Sequence, residues 1–207
     1  MKKISVILFI FIITNFYAQS IITKNSKMSD KLEIVTLANG CFWCTEAIFQ
    51  RLYGVEKVTS GYSGGKVKNP SYREVTSGKT GHAEAIQIQF NPSVITFQEI
   101  LDVFFSTHDP TTLNKQGYDG GTQYRSAIFY HSKEQKETAE KFIKVLTEAK
   151  VFEKKIVTEV TEFNYFYEAE DYHQNYYNNN KTQRYCMTVI NPKLEKFIKK
   201  YKNKLKK

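Results

Sequence analysis

The residues best equipped for chemistry are Cys41 and Cys44, two of only three cysteines in the 207-residue chain, set as Cys-Phe-Trp-Cys at the head of an apolar stretch. A Cys-x-x-Cys spacing permits metal binding, dithiol redox chemistry, or a nucleophilic thiol with a neighbour that traps it. A structural zinc site needs four ligands, usually two close pairs. Here Cys186 stands alone and none of the four histidines is spaced to complete a set, so zinc is set aside. A thioredoxin-like dithiol shares the order strand, Cys-x-x-Cys, helix. It lacks here a proline placed to open the strand facing the dithiol, because Pro70 follows a glycine turn and Pro92 ends a strand. A nucleophilic thiol is the third reading. Cys41 falls in the first turn of its helix, where free N–H groups and the positive end of the dipole favour a thiolate. On the residues alone both thiol chemistries stay open.

A nucleophile needs an acid, and the clearest strand supplies a candidate. In Ala83–Phe90 (AEAIQIQF) Glu84 shares its parity with Ile86, Ile88 and Phe90, so its carboxyl points to the apolar face. Desolvation there raises a carboxyl pKa, and a protonated Glu is a proton donor at neutral pH.

The elements that must position these groups alternate without repeats or low-complexity linkers. Leu32–Ala38 reads as a strand, and Asn39 as the cap of a helix over 41–53 that turns Ile48, Phe49 and Leu52 inward. A strand over 56–63 ends in a glycine-rich turn. Thr96–Glu99 and Ser132–Gln135 carry the spacing of capping boxes ahead of two helices, the second with Ala139, Phe142, Ile143 and Leu146 on one stripe. Residues 109–124 form a loop, 126–131 and 155–163 read as strands, and Cys186–Ile190 (CMTVI) as a last short strand. Together they predict an α+β fold: a two-layer sandwich with a mixed sheet, packed helices and a ferredoxin-like core.

The net charge of +9 is confined to the ends. Lys2 and Lys3 supply two charges, and the segment from Lys193 carries eight Lys against Glu195, leaving residues 20–192 neutral. That distribution argues against nucleic acid as a partner. The Lys-rich segment reads as a last helix docked by Leu194, Phe197, Ile198 and Tyr201. At the other end, Lys2 and Lys3, the apolar run Ile4–Ile13 and the small residue Ala18 have the layout of a secretory signal peptide. The expected division is a signal peptide over 1–19 and one catalytic domain over 20–207, exported to the periplasm or beyond. The alternative is a membrane anchor formed by the uncleaved segment. No cysteine near the cut offers a lipid anchor.

Seven segments in order, GCFWCTE, GYSGG, NPSYREV, TGHAEAI, HDPTT, GTQYRSAIFY and YEAEDYHQNYY, closely resemble the A-type peptide methionine sulfoxide reductases over residues 32–190. These enzymes reduce the S epimer of methionine sulfoxide. The resemblance implies Cys41 as nucleophile, Glu84 as principal proton donor, and Tyr72 and Tyr124 as assisting phenols. It implies Phe42 and Trp43 as the pocket for the substrate methyl, Asp119 as a hydrogen-bond partner of the substrate backbone, and His173 as a residue near the site. Cys41 would become a sulfenic acid and then a disulfide, with Cys186 placed narrowly ahead of Cys44 as the first resolving thiol. No metal or cofactor is implied. The implied partners are oxidised methionine, in proteins or free, and a thioredoxin-like reductant, met by a monomer. Two features depart from many members: Cys44 stands where they carry Gly, and Cys186 lies outside any glycine-rich tail.

Overall fold

The computed structural model describes residues 31–207. The chain runs through β1 (Glu33–Asn39), α1 (Phe42–Phe49), β2 (Val55–Ser63), α2 (Tyr72–Thr76), β3 (Ala83–Phe90) and α3 (Phe97–Ser106). A two-residue hairpin, β4 (Lys115–Gln116) and β5 (Asp119–Gly120), precedes β6 (Ser126–Tyr130). Then come α4 (Lys133–Glu148), β7 (Glu159–Glu162), β8 (Phe166–Glu168), α5 (Tyr176–Asn179) and α6 (Asn191–Lys200).

Six strands form one sheet in the order β7-β6-β1-β3-β2-β8. Every neighbouring pair is antiparallel except β6 with β7. Inside it, β1–α1–β2 straddles β3, and β3–α3–β6 straddles β1. This is the ferredoxin-like core, and the parallel edge strand makes the sheet mixed, as the sequence predicts.

Alternation along the strands divides the two faces. Val35, Leu37, Ile86, Ile88, Phe90 and Ile128 meet Ile48, Phe49, Leu52, Ile100, Leu101 and Phe104 in the main core. The other face carries four alanines, Ala38, Ala83, Ala85 and Ala127, beside Phe129, covered by Phe163 and Phe166. Glu84 belongs to the helix-covered face. The Thr96–Glu99 capping box forms in full. A second one forms at Ser71–Glu74 and starts α2, a helix the sequence reading passed over although its S-x-x-E spacing was present. Ser132 caps α4 through Gln135 N–H, but the Gln135 side chain accepts from His131 N–H instead of closing the box.

Three expectations are corrected. Asn39 does not cap α1: Cys41 is the N-cap residue, and Asn39 accepts the Thr45 hydroxyl. Cys186–Ile190 is not a strand but a π-helical turn that runs directly into α6. Its β-branched residues suit a strand, yet the segment runs without a break into α6, whose apolar stripe docks on the core, and Cys186 and Ile190 are buried in that helical register. Ile198 lies off that stripe and is exposed, whereas Leu194, Phe197 and Tyr201 are buried.

The Lys-rich end is docked. The Tyr201 hydroxyl donates to Asp102 Oδ2 at 2.7 Å, Lys204 pairs with Glu99, and Leu205 bridges to Leu52 just beyond α1. Among the described residues no helix is long and apolar enough to cross a membrane. The expected signal peptide lies outside them.

Candidate active site

The site is built where β1 turns into α1. Gly40 makes the turn at φ +96°, and a Cβ there would meet the Gln116 side chain at 2.7 Å, so only glycine fits. The turn sets Cys41 at the helix start, where its carbonyl accepts the N–H groups of Cys44 and Thr45. The free N–H of Phe42 is met from the sheet: it donates to Glu84 Oε2 at 3.0 Å. A carboxyl from β3 thus does the capping work expected of Asn39.

Glu84 is 1% exposed. Burial pushes its carboxyl up to about 8, against the opposing pull of the Phe42 N–H. It is therefore a neutral acid at neutral pH, held by one oxygen. The phenols of Tyr72 and Tyr124 are raised above their ordinary range, first by burial and then by the charge that Glu84 would carry. Both also feel Cys41, so acid, phenols and thiol lie close enough to act on one another's charge.

Phe42 and Trp43 form an aromatic stack beside it. Phe42 lies parallel to Tyr72 at 6.3 Å, and Trp43 lies flat on Tyr176 at 3.7 Å and 8°. Trp43 Nε1 donates to His173 Nδ1 at 3.1 Å. His173 is 1% exposed, with its ring packed on Phe42 and Trp43, so it steadies the aromatic wall.

Asp119 approaches from β5. Its carboxylate accepts the Tyr185 hydroxyl at 2.8 Å, and Tyr185 packs on the cluster that holds Cys41. A cavity of about 250 Å³ opens here, lined by Cys41, Cys44, Gln116, Asp119, Tyr185 and Lys193 among others. Phe42 and Trp43 do not line it. A larger depression of about 930 Å³ near the start of β1 contains no cysteine.

All three cysteines are free thiols in one buried cluster. Cys41 and Cys44 lie one helical turn apart in that cluster. Burial pushes the Cys41 thiol well up, which overrides the thiolate expected from the helix start. Cys44 moves the other way, chiefly through the Cys41 thiol beside it, with the Lys193 ammonium contributing. Burial, then the charge on Cys44, raises Cys186. Among the described residues no group of three His, Cys, Asp or Glu converges to hold a metal ion.

Sequence reasoning missed Tyr185, Lys193, Tyr176 and Glu46. Tyr185 adjoins Cys186, and Glu46 lies one turn past Trp43. Neither has a local signal that says which distant element it touches.

A model of the peptide methionine sulfoxide reductase family matches residues 33–206. The peptide methionine sulfoxide reductase MsrA of Sulfolobus acidocaldarius is 57% identical over 173 residues, spanning 84% of this chain and 97% of its own length. The reduced form of Mxr1 from Saccharomyces cerevisiae superimposes with a TM-score of 0.69 at 38% identity, covering 75% of this chain and 90% of that one. Methionine sulfoxide reductase A of Corynebacterium diphtheriae gives a TM-score of 0.67 at 33% identity, covering 74% and 77%. With its thiols, its buried acid and these relatives in agreement, the chain belongs to the A-type peptide methionine sulfoxide reductases.

Proposed function

We propose that the protein reduces the S epimer of methionine sulfoxide, in proteins and as the free amino acid, with Cys41 as nucleophile and Glu84 as proton donor. The observation that carries this reading is a neutral carboxyl fastened to the backbone N–H of Phe42, the residue after the nucleophile. Sulfoxide reduction needs that pairing, because the S–O oxygen must gain a proton as its bond to sulfur breaks. Cys41 Sγ attacks the sulfoxide sulfur, and its proton has Cys44 as a ready acceptor. The Glu84 proton goes to the oxygen, assisted by the Tyr72 and Tyr124 phenols. The hydroxyl ends on Cys41 as a sulfenic acid and methionine leaves. The balance is one thiol and one sulfoxide giving one sulfenic acid and one thioether.

In this reading Phe42 and Trp43 wall the substrate methyl, His173 steadies Trp43, and Asp119 holds the substrate backbone. A second thiol then attacks the Cys41 sulfur, forming a disulfide and releasing water. A thioredoxin-like dithiol reductant outside the cell membrane returns the enzyme to its thiol form. Two buried thiols beside Cys41 support that step. A single chain supplies every group named, in keeping with action as a monomer. The exported repair role rests on the sequence pattern of residues 1–19.

The test is turnover of a peptide carrying one methionine sulfoxide of defined configuration, with dithiothreitol as reductant. Turnover of the S diastereomer with none of the R is expected. A protein that exchanges disulfides but leaves both sulfoxides untouched is a thiol–disulfide oxidoreductase, and the reading is lost.

A further inference from the structure

Glu46 is a buried carboxyl that the chemistry above does not use. It is 2% exposed and sits on α1 three residues beyond Trp43, on the same helix face. Its Oε1 accepts the backbone N–H of Asn175 at 2.8 Å, across 129 residues of chain. Asn175 adopts left-handed backbone angles, φ +52° and ψ +32°, at the start of α5. Asn is the non-glycine residue that takes up that conformation most readily, and the bond to Glu46 holds it there. The next residue is Tyr176, whose ring lies flat on Trp43.

The segment is fastened at three successive residues. His173 accepts from Trp43, and the Gln174 side chain clamps both backbone groups of Ser60 on β2. Asn175 is tied to Glu46. The Gln174 anchor fixes the segment to the sheet. The Glu46 anchor fixes it to the helix that carries Cys41 and Trp43, so the two faces of the Trp43–Tyr176 stack keep a common frame.

We propose that Glu46 is a positioning residue: by holding the Asn175–Tyr176 backbone on α1 it lays Tyr176 against Trp43 and fixes the indole that walls the substrate pocket. The proposal rests on the reading of Trp43 as that wall. What the site requires of position 46 is a buried acceptor of hydrogen bonds, which a carboxamide oxygen also supplies.

Trp43 is the only tryptophan in the chain, so its fluorescence reports this contact without labels. Glu46→Ala, Glu46→Gln and Tyr176→Leu are to be compared for acrylamide quenching of Trp43, thermal unfolding, and kcat and KM for an S-sulfoxide peptide. Glu46→Ala is expected to raise quenching and to lower kcat/KM on the order of 10-fold, mainly through KM. Tyr176→Leu should do the same, the double variant should be no worse than either, and Glu46→Gln should stay within about twofold of the parent. Unchanged quenching in a folded Glu46→Ala protein overturns the proposal, as does a Gln variant as impaired as Ala. If quenching rises while KM stays put, the positioning stands and the assignment of Trp43 to the substrate pocket has failed.

Discussion

The Glu84 carboxyl accepts the backbone N–H of Phe42 at 3.0 Å, so a sheet residue and a helix start are joined beside the thiol of Cys41. A helix N-terminus ordinarily draws a carboxyl towards its ionised form. Here burial wins, and the acid keeps its proton up to about pH 8. The bond therefore leaves the acid uncharged and occupies one oxygen as acceptor. The other oxygen is free to carry the proton.

Glu84→Gln keeps the shape and the Phe42 contact but has no proton to give. The chemical step should slow on the order of 10²–10⁴-fold, seen in single turnover at neutral pH. In the parent, the rate that depends on this acid should fall as pH rises through about 8, and the Gln variant should lack that limb. A Gln variant as fast as the parent would mean the carboxyl is only structural.

Stability carries a matching signature. In the folded chain Glu84 holds its proton to about pH 8, against the ordinary 4.5 when exposed. Between those values the folded state binds the extra proton, so this group's contribution to stability falls as pH rises across the window. Above it the group opposes folding by a few kcal/mol. Denaturant titrations at pH 5 and pH 8 should differ less for Glu84→Gln than for the parent.

Cys41→Ser preserves size at a buried N-cap position and removes the nucleophile. Sulfoxide reduction should drop to background with dithiothreitol present, while the far-ultraviolet circular dichroism stays that of the parent. Measurable turnover by a folded Ser variant would remove the central assignment.

Local patterns carried much of the fold. The alternation in Ala83–Phe90 located β3 to the residue and set Glu84 on the covered face, because strand parity needs no knowledge of partners. The Thr96–Glu99 box located the start of α3 for the same reason. What failed was tertiary. The Cys186–Ile190 turn has strand-like residues, and only the docking of the helix that continues from it makes the segment helical. The raised thiol of Cys41 reverses the expectation from the helix start because burial is a property of the packed chain. The Tyr185–Asp119 and Glu46–Asn175 bonds join residues 66 and 129 apart, and nothing local announces either.

The exported reading makes a direct prediction for residues 1–19. Protein isolated from its own host should begin close to Gln19, as read by N-terminal sequencing. An intact Met1 in soluble cytoplasmic protein would overturn it.

The last prediction is which sulfur takes over from Cys41. The family resemblance placed Cys186 narrowly ahead of Cys44, and the geometry favours the opposite order. Cys44 lies one turn along α1, and the neighbouring Cys41 thiol holds it closer to the thiolate form. Cys41 is the N-cap residue with non-helical angles, φ −58° and ψ 123°, so a Cys41–Cys44 bond needs little distortion of α1. Cys186 is wholly buried, and its thiol is raised by burial and then by the charge on Cys44. That arrangement suits a second exchange, in which Cys186 attacks Cys44 and frees Cys41 for another substrate. The π-helical turn that Cys186 begins is a local irregularity where the backbone can yield. One equivalent of sulfoxide, followed by peptide mapping of quenched protein, should find Cys41–Cys44 first and Cys44–Cys186 later. Cys44→Ser should accumulate the Cys41 sulfenic acid, and Cys186→Ser should complete one turnover and stop at Cys41–Cys44. Prompt formation of Cys41–Cys186 in the parent, with Cys44→Ser turning over normally, would restore Cys186 as the first partner.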